Sequence, residues 1–168
     1  PEKMIQDAPF EFGFEPTGKD IHGRQQFMTG QRRRLILSVG RPSKEGLQEL
    51  VSRIRDAVQK NGINPADIIF RAEKKSDIEY IAGELPDITL MYYFVADRAL
   101  LDDPQLRRQK YREILAYCVK KEIPYVSAGH GIFEPLMVMK THDFGLKYCV
   151  FSDNKTDFIV NAVNAGAD

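Results

Sequence analysis

The sequence lacks most of the features that would assign a function from composition alone. It has no tryptophan and no excess of either charge, since 24 Lys and Arg residues balance 24 Asp and Glu residues. This balance excludes a protein-wide field that would recruit nucleic acid or a membrane, so an electrostatic function has to come from a local patch. No apolar run approaches 18 residues, and no basic-then-apolar leader is present. We therefore expect an intracellular protein, cytoplasmic or nuclear, with no membrane among its partners.

Cysteine is also scarce. Cys118 and Cys149 are the only two, and neither belongs to a CxxC pair. Their spacing from the histidines matches no familiar zinc finger, and Cys118 falls in the interior of a predicted helix. We expect two reduced, buried thiols rather than a disulfide or a zinc site.

The length and apolar content fit one globular domain. A chain of 168 residues with 43% hydrophobic residues can bury a sizeable core. Residues 1–30 are rich in Gly, Pro and Phe and show no sustained period, apart from a short strand predicted around 25–28. We interpret them as an irregular lead-in packed on a domain that spans residues 31–168.

Apolar periodicity in that domain alternates between strands and helices. Strands are predicted at 35–40, 68–72, 87–95, 123–128 and 146–151. Helices are predicted at 46–62 after Pro42-Ser43, at 76–85 with Ser76 or Asp77 as the cap, from Asp102 or Asp103 to 122, and at 154–166. This alternation predicts the α/β class, as a Rossmann-like three-layer sandwich with a mainly parallel central sheet.

Residues that follow the strands are candidate site residues, because parallel sheets bind ligands beyond the carboxyl ends of their strands. Consecutive units usually neighbour one another, so the strand ends at Asp97 and Ser127 should lie side by side. The phrase GRPSKEG is not a phosphate loop, since Leu47-Gln48 stand where that loop needs a lysine and a hydroxyl. His130 alone, in a glycine-containing loop, does not indicate a catalytic base.

Several aspartates leave a metal-dependent reaction open. A divalent ion for phosphodiester chemistry takes carboxylate oxygens, and the candidates are Asp97, Asp102, Asp103, Asp143 and Asp153. Helix caps and loop solvation explain the same residues, so we assign no metal ligand. A metal-dependent nuclease or phosphoesterase remains the second alternative function.

The stretch KYREILAYCVKKEIPYVSAGHG carries a family resemblance. Tyr111, Ile114, Leu115 and Cys118 fall on one helical face, which is typical of a core stripe. The order of a long apolar strand, an Asp-Pro loop, this helix and a strand that begins Ile-Pro resembles the MID domain of Argonaute and Piwi proteins. The lead-in APFEFGFEP with DIHGRQQFMTG and RRRLILSV is similar to that family's opening segment, and FIVNAVNAGAD is similar to its last helix.

The resemblance implies a non-enzymatic module that binds the 5′ end of a small guide RNA, without a cofactor. Tyr111 would stack on the terminal base, and Lys110, Ser127 and Asn164 would contact the phosphate. Guide RNA, neighbouring domains of a larger chain and other proteins would be its partners.

The family's phosphate-clamping side chains are not matched. Lysines are expected at three positions that hold Leu115, Val160 and Asn164, and glutamine is expected where Val126 or Ser127 stands. The first alternative is therefore a degenerate module of the same shape that binds protein partners or braces neighbouring domains.

Overall fold

The computed structural model describes residues 34–38, 42–150 and 156–168. These residues contain five strands: β1 Leu35–Ser38, β2 Ile68–Ala72, β3 Thr89–Phe94, β4 Tyr125–Ala128 and β5 Lys147–Val150. They also contain six α-helices: α1 Lys44–Asn61, α2 Lys75–Glu84, α3 Arg98–Asp102, α4 Pro104–Lys120, α5 Pro135–Asp143 and α6 Thr156–Asn164. No helix in the described ranges is long and apolar enough to cross a bilayer.

The strands form one sheet in the order β1-β2-β3-β4-β5, and every neighbouring pair is parallel. The predicted α/β class, with a Rossmann-like parallel central sheet flanked by helices, is confirmed. Tyr93 on β3 is the register partner of Ser127 on β4, so the ends of these two strands lie side by side, as predicted. Right-handed connections between sequential neighbours place successive helices on the same face of a sheet.

Side-chain caps set three of the helix starts in the described residues, at Ser43, Asp97 and Asp103. Ser43 Oγ accepts a hydrogen bond from the Gly46 amide at 3.1 Å at the start of α1. Asp103 caps α4 by accepting from the amides of Gln105 and Leu106 at 2.9 and 3.0 Å. At the other end of α1, Gly62 adopts a left-handed conformation with φ of 62°, which glycine reaches without the steric cost of a Cβ atom.

The helices differ from the prediction in three places. Helix α4 begins behind Asp103, as predicted, but the short helix α3 before it was not predicted. Helix α2 begins one residue before Ser76, after Lys74 and without a side-chain cap. Helix α5 was not predicted, since it is nine residues long and has no side-chain cap to mark its start.

The lead-in assigned to residues 1–30, with its strand at 25–28, lies outside the described residues. The boundaries at 1–30 and 31–168 stay a prediction.

The main core lies between the sheet and the helices. One face of the strands, represented by Leu37, Phe70 and Tyr92, joins a single buried cluster with the apolar sides of the helices. Tyr111 and Leu115 of α4 belong to this cluster and are 2% and 0% exposed. Ile69, Met91 and Ser127 are also buried but alternate with those strand residues, so they lie on the opposite face of the sheet.

The Tyr111 hydroxyl gives a direct test of this core. Thr141 Oγ1 donates to the Met137 carbonyl at 2.7 Å, so Tyr111 donates to Thr141 Oγ1, at 2.6 Å. We expect Tyr111→Phe to lower the free energy of unfolding by about 1 kcal/mol, the usual value of a buried hydrogen bond. Urea unfolding followed by circular dichroism measures the change. Tyr117→Phe is the control, because that hydroxyl has only long contacts of 3.4 and 3.5 Å; equal losses for both variants would contradict the prediction.

Candidate anion-binding site at the carboxyl edge of the sheet

Arg71 lies at the carboxyl end of β2, on the face of the sheet that is turned away from the helical core. Its Nε donates to Ser38 Oγ on β1 at 2.9 Å. Its guanidinium carbon lies 4.3 Å from the ring centre of Tyr93 on β3. The two neighbouring strands therefore hold the guanidinium between them. Its Nη2 donates to the same Ser38 oxygen. The N–H donors of a guanidinium match the oxygens of a phosphate or carboxylate.

The Arg71 side chain is partly shielded from solvent. Desolvation by burial lowers the pKa of Arg71 from its ordinary value, and the nearby Tyr93 and Glu73 oppose this effect. An arginine remains protonated in proteins even when its pKa falls. The edge therefore combines a fixed positive charge with the Glu73 carboxylate two residues further along the chain.

A row of polar groups continues from Tyr93 across β4 and β5. Tyr93, Ser127 and Cys149 are register partners on three adjacent strands. A Cβ atom added at Gly129 would lie 2.9 Å from the Tyr93 hydroxyl oxygen, so this glycine allows the hydroxyl to approach the backbone closely. The Ser127 hydroxyl is fully buried and has no hydrogen-bond partner among the described residues.

The structure separates the four residues that the family resemblance selected. Lys110 is exposed and pairs with Glu113 at 2.8 Å. Tyr111 is in the helical core, where its ring packs 5.3 Å from that of Phe94 and is closed to base stacking. Ser127 lies on the opposite face of the sheet, and Asn164 is exposed on α6. The four side chains do not meet at a common site.

Sequence reasoning missed Arg71, Ser38 and Tyr93. The available signal was the alternation within IIFRA, because a charged residue that alternates with buried Phe70 must lie on the other face of the sheet. Lys110 does line a cavity of about 620 Å³ at the same edge, on the helical side, together with Glu73, Asp97 and Glu113.

No group of three or more potential metal ligands occurs within the described ranges. Asp97 and Asp103 accept backbone hydrogen bonds as helix caps, and Asp143 pairs with Lys140 at 2.7 Å. Asp153 lies outside the described residues. Capping and pairing thus account for Asp97, Asp103 and Asp143, while Asp102 ends helix α3. We derive no step through a metal.

The chain matches no protein-family model and no curated protein. It is similar to a solved structure from Silicibacter pomeroyi DSS-3 that is described as a glycerophosphoryl diester phosphodiesterase. The identity is 13%, the TM-score is 0.60, and the match covers 80% of this chain and 45% of that one. A protein of the same description from Agrobacterium tumefaciens str. C58 gives 9% identity and a TM-score of 0.60, covering 79% of this chain and 50% of that one. The chain thus spans about half the length of these structures, and at such identity the similarity shows the fold.

These similarities correct the functional interpretation. The expectation of a non-enzymatic module that binds the 5′ end of a guide RNA is wrong, because the structures that share the fold are described as phosphodiesterases. The expectation that guide RNA is a partner is therefore wrong as well. The resemblance to the MID domain itself stays an untested prediction. Of the functions considered from the sequence, the phosphoesterase alternative is the one that the similarities favour.

The reactivity of the Cys149 thiol tests how well the row of Tyr93, Ser127 and Cys149 is shielded from water. Burial raises the pKa of the Cys149 thiol to about 11, and that of Cys118 to about 12. A raised thiol pKa leaves little thiolate at pH 8, so we expect Cys149 in the Cys118→Ser variant to react with DTNB roughly 100-fold more slowly than in guanidinium chloride. Absorbance at 412 nm measures both rates. Similar rates in the folded and unfolded protein would show that the row is open to water.

Proposed function

We propose that this chain forms part of a phosphodiesterase, with Arg71 as the residue that binds the phosphate. The observation that carries the proposal is the guanidinium held between Ser38 and Tyr93 at the carboxyl edge of a parallel sheet. Ligand sites in parallel α/β sheets lie at this edge. The fold similarity to two proteins described as glycerophosphoryl diester phosphodiesterases supports the class of substrate.

The chemistry of a phosphodiester fits these residues. The group carries one negative charge over two non-bridging oxygens, which matches the two parallel N–H donors of a guanidinium. Hydrolysis breaks one P–O bond with water and gives an alcohol and a phosphomonoester. Charge on the non-bridging oxygens persists through the reaction, and a donor that is already oriented stabilises it without reorganising.

Ser38 and Tyr93 act through Arg71 in this proposal. Ser38 Oγ accepts from Nε, and the Tyr93 ring supports one face of the guanidinium. These two contacts fix the position of the guanidinium at which a phosphate would bind. We also propose an intracellular location, since Cys118 and Cys149 are both free thiols, as expected in a reducing compartment.

Removal of the guanidinium is the central test. We expect Arg71→Ala to lower kcat/KM for bis(4-nitrophenyl) phosphate by about 10²–10³-fold, the usual effect of removing one preorganised donor. Arg71→Lys should recover part of this loss, because lysine keeps the charge but not the paired donors. Release of 4-nitrophenol measures turnover, and calorimetry with inorganic phosphate measures binding separately.

Arg55→Ala is the matched control for this experiment. Arg55 is held by an ion pair with Glu84 at 2.9 Å, and it lies on α1 in the helical layer. We expect its turnover and phosphate affinity to equal those of the wild type. Phosphate binding that depends on Arg71 without any turnover would contradict the enzyme assignment, whereas turnover that is unaffected by Arg71→Ala would contradict the site.

A further inference from the structure

A shallow groove runs between α4 and α5 on the outer surface of the helical layer. Arg108 and Arg112 of α4 line one side, and Leu136 and Lys140 of α5 line the other. Its enclosed volume is only about 20 Å³, far below the several hundred Å³ of a pocket for a small molecule. The two helices present an open face rather than a cleft.

This face carries an excess of positive charge. Glu134 accepts from both Arg107 and Arg108, with Arg108 Nε at 2.9 Å. Lys140 is paired with Asp143. Arg112 also lines the groove, and it has no hydrogen bond or ion pair within the part of the chain that the structure describes. The α4–α5 face therefore carries four cationic side chains and two carboxylates, although the whole sequence is balanced in charge.

Exposed apolar side chains collect on the same half of the helical layer. Helices α1 and α2 expose no large apolar side chain, whereas α3 to α6 and the turn after α5 expose seven in the described residues: Leu101, Val119, Met139, Phe144, Ile159, Val160 and Val163. Two of these, Val119 and Met139, belong to the helices α4 and α5 that form the groove, and Phe144 follows α5 directly. The basic face is therefore also partly apolar.

We propose that the α4–α5 face docks on an anionic lipid surface. Basic side chains near a bilayer are attracted by anionic headgroups, and apolar side chains beside them enter the interfacial region. The open shape matches a surface better than a small molecule. Exposed apolar groups on the same two helices as the cations match a lipid interface better than a nucleic acid, whose backbone is contacted mainly by charged and polar groups.

The docking face also has a defined place relative to the carboxyl edge. Helix α4 follows β3 after the short α3, and α5 follows β4, so both helices begin at the edge where these strands end. Arg108 and Glu134 lie at those beginnings. A lipid surface bound there would be close to the carboxyl edge of the sheet. The inference rests on the face itself and does not require the proposed phosphodiesterase activity.

Sedimentation with vesicles tests the proposal on the intact chain. We expect binding to vesicles of 30% phosphatidylglycerol in phosphatidylcholine, little binding to pure phosphatidylcholine, and weaker binding as salt rises. The triple variant R108Q/R112Q/K140Q should lower the partition coefficient roughly 100-fold, since each basic residue near the surface contributes about a factor of five. Leu136→Gln, which removes an apolar group from the groove, should lower it several-fold.

A second triple variant tests whether binding depends on the cations of this face or on the total charge of the protein. K44Q/R53Q/R55Q removes three cations from α1, and we expect it to bind vesicles as the wild type does. Circular dichroism and thermal unfolding confirm that each variant is folded. Equal losses for the two triple variants, equal binding to neutral and anionic vesicles, or no vesicle binding would each overturn the proposal. Groove-dependent binding to polyglutamate or to an oligonucleotide without vesicle binding would overturn it in favour of a protein or nucleic-acid partner.

Discussion

Alternation of side chains along a β-strand is the constraint on which the rest of this structure depends. Phe70 points into the helical core, and Arg71, one residue later, points to the other face of the same strand. The hydrogen-bonded register then carries this alternation to the neighbouring strand β3, where Tyr92 lies on the same face as Phe70 and Tyr93 lies on the same face as Arg71. A shift of register by one residue would bury the arginine beneath the helices and expose the phenylalanine.

This constraint explains why one face of the sheet can hold a charge while the other remains apolar. Removing a cation from water is costly, and the direction of the Arg71 pKa reflects that cost. Ser38 and Tyr93 offset part of it, by a hydrogen bond and by contact with an aromatic face. Both come from adjacent strands, so the parallel sheet positions the arginine and stabilises its charge at the same time.

The sequence predicted the elements better than it predicted the site. Runs such as IIFRA and helices with caps such as Ser43 and Asp103 carry local signals, and the structure has them where they were expected. Helix α5 has no side-chain cap, so its start left no such signal. Arg71 could not be predicted as a site residue for another reason. Its neighbours in space, Ser38 and Tyr93, lie 33 and 22 residues away in the sequence, and only the pairing of strands brings the three together.

Tyr111 shows why the order of elements is weak evidence for function. A tyrosine in the first half of a helix after a long apolar strand suits a base-stacking role, but the same position suits a core that needs a large side chain. The core contacts decide between them, because Tyr111 packs beside Phe94 and bonds to Thr141 beneath the surface. Its neighbours Arg108 and Arg112 lie on the outer side of the same helix. Helix α4 thus separates two chemical environments within one turn, and the function of each residue follows from the side of the helix on which it lies.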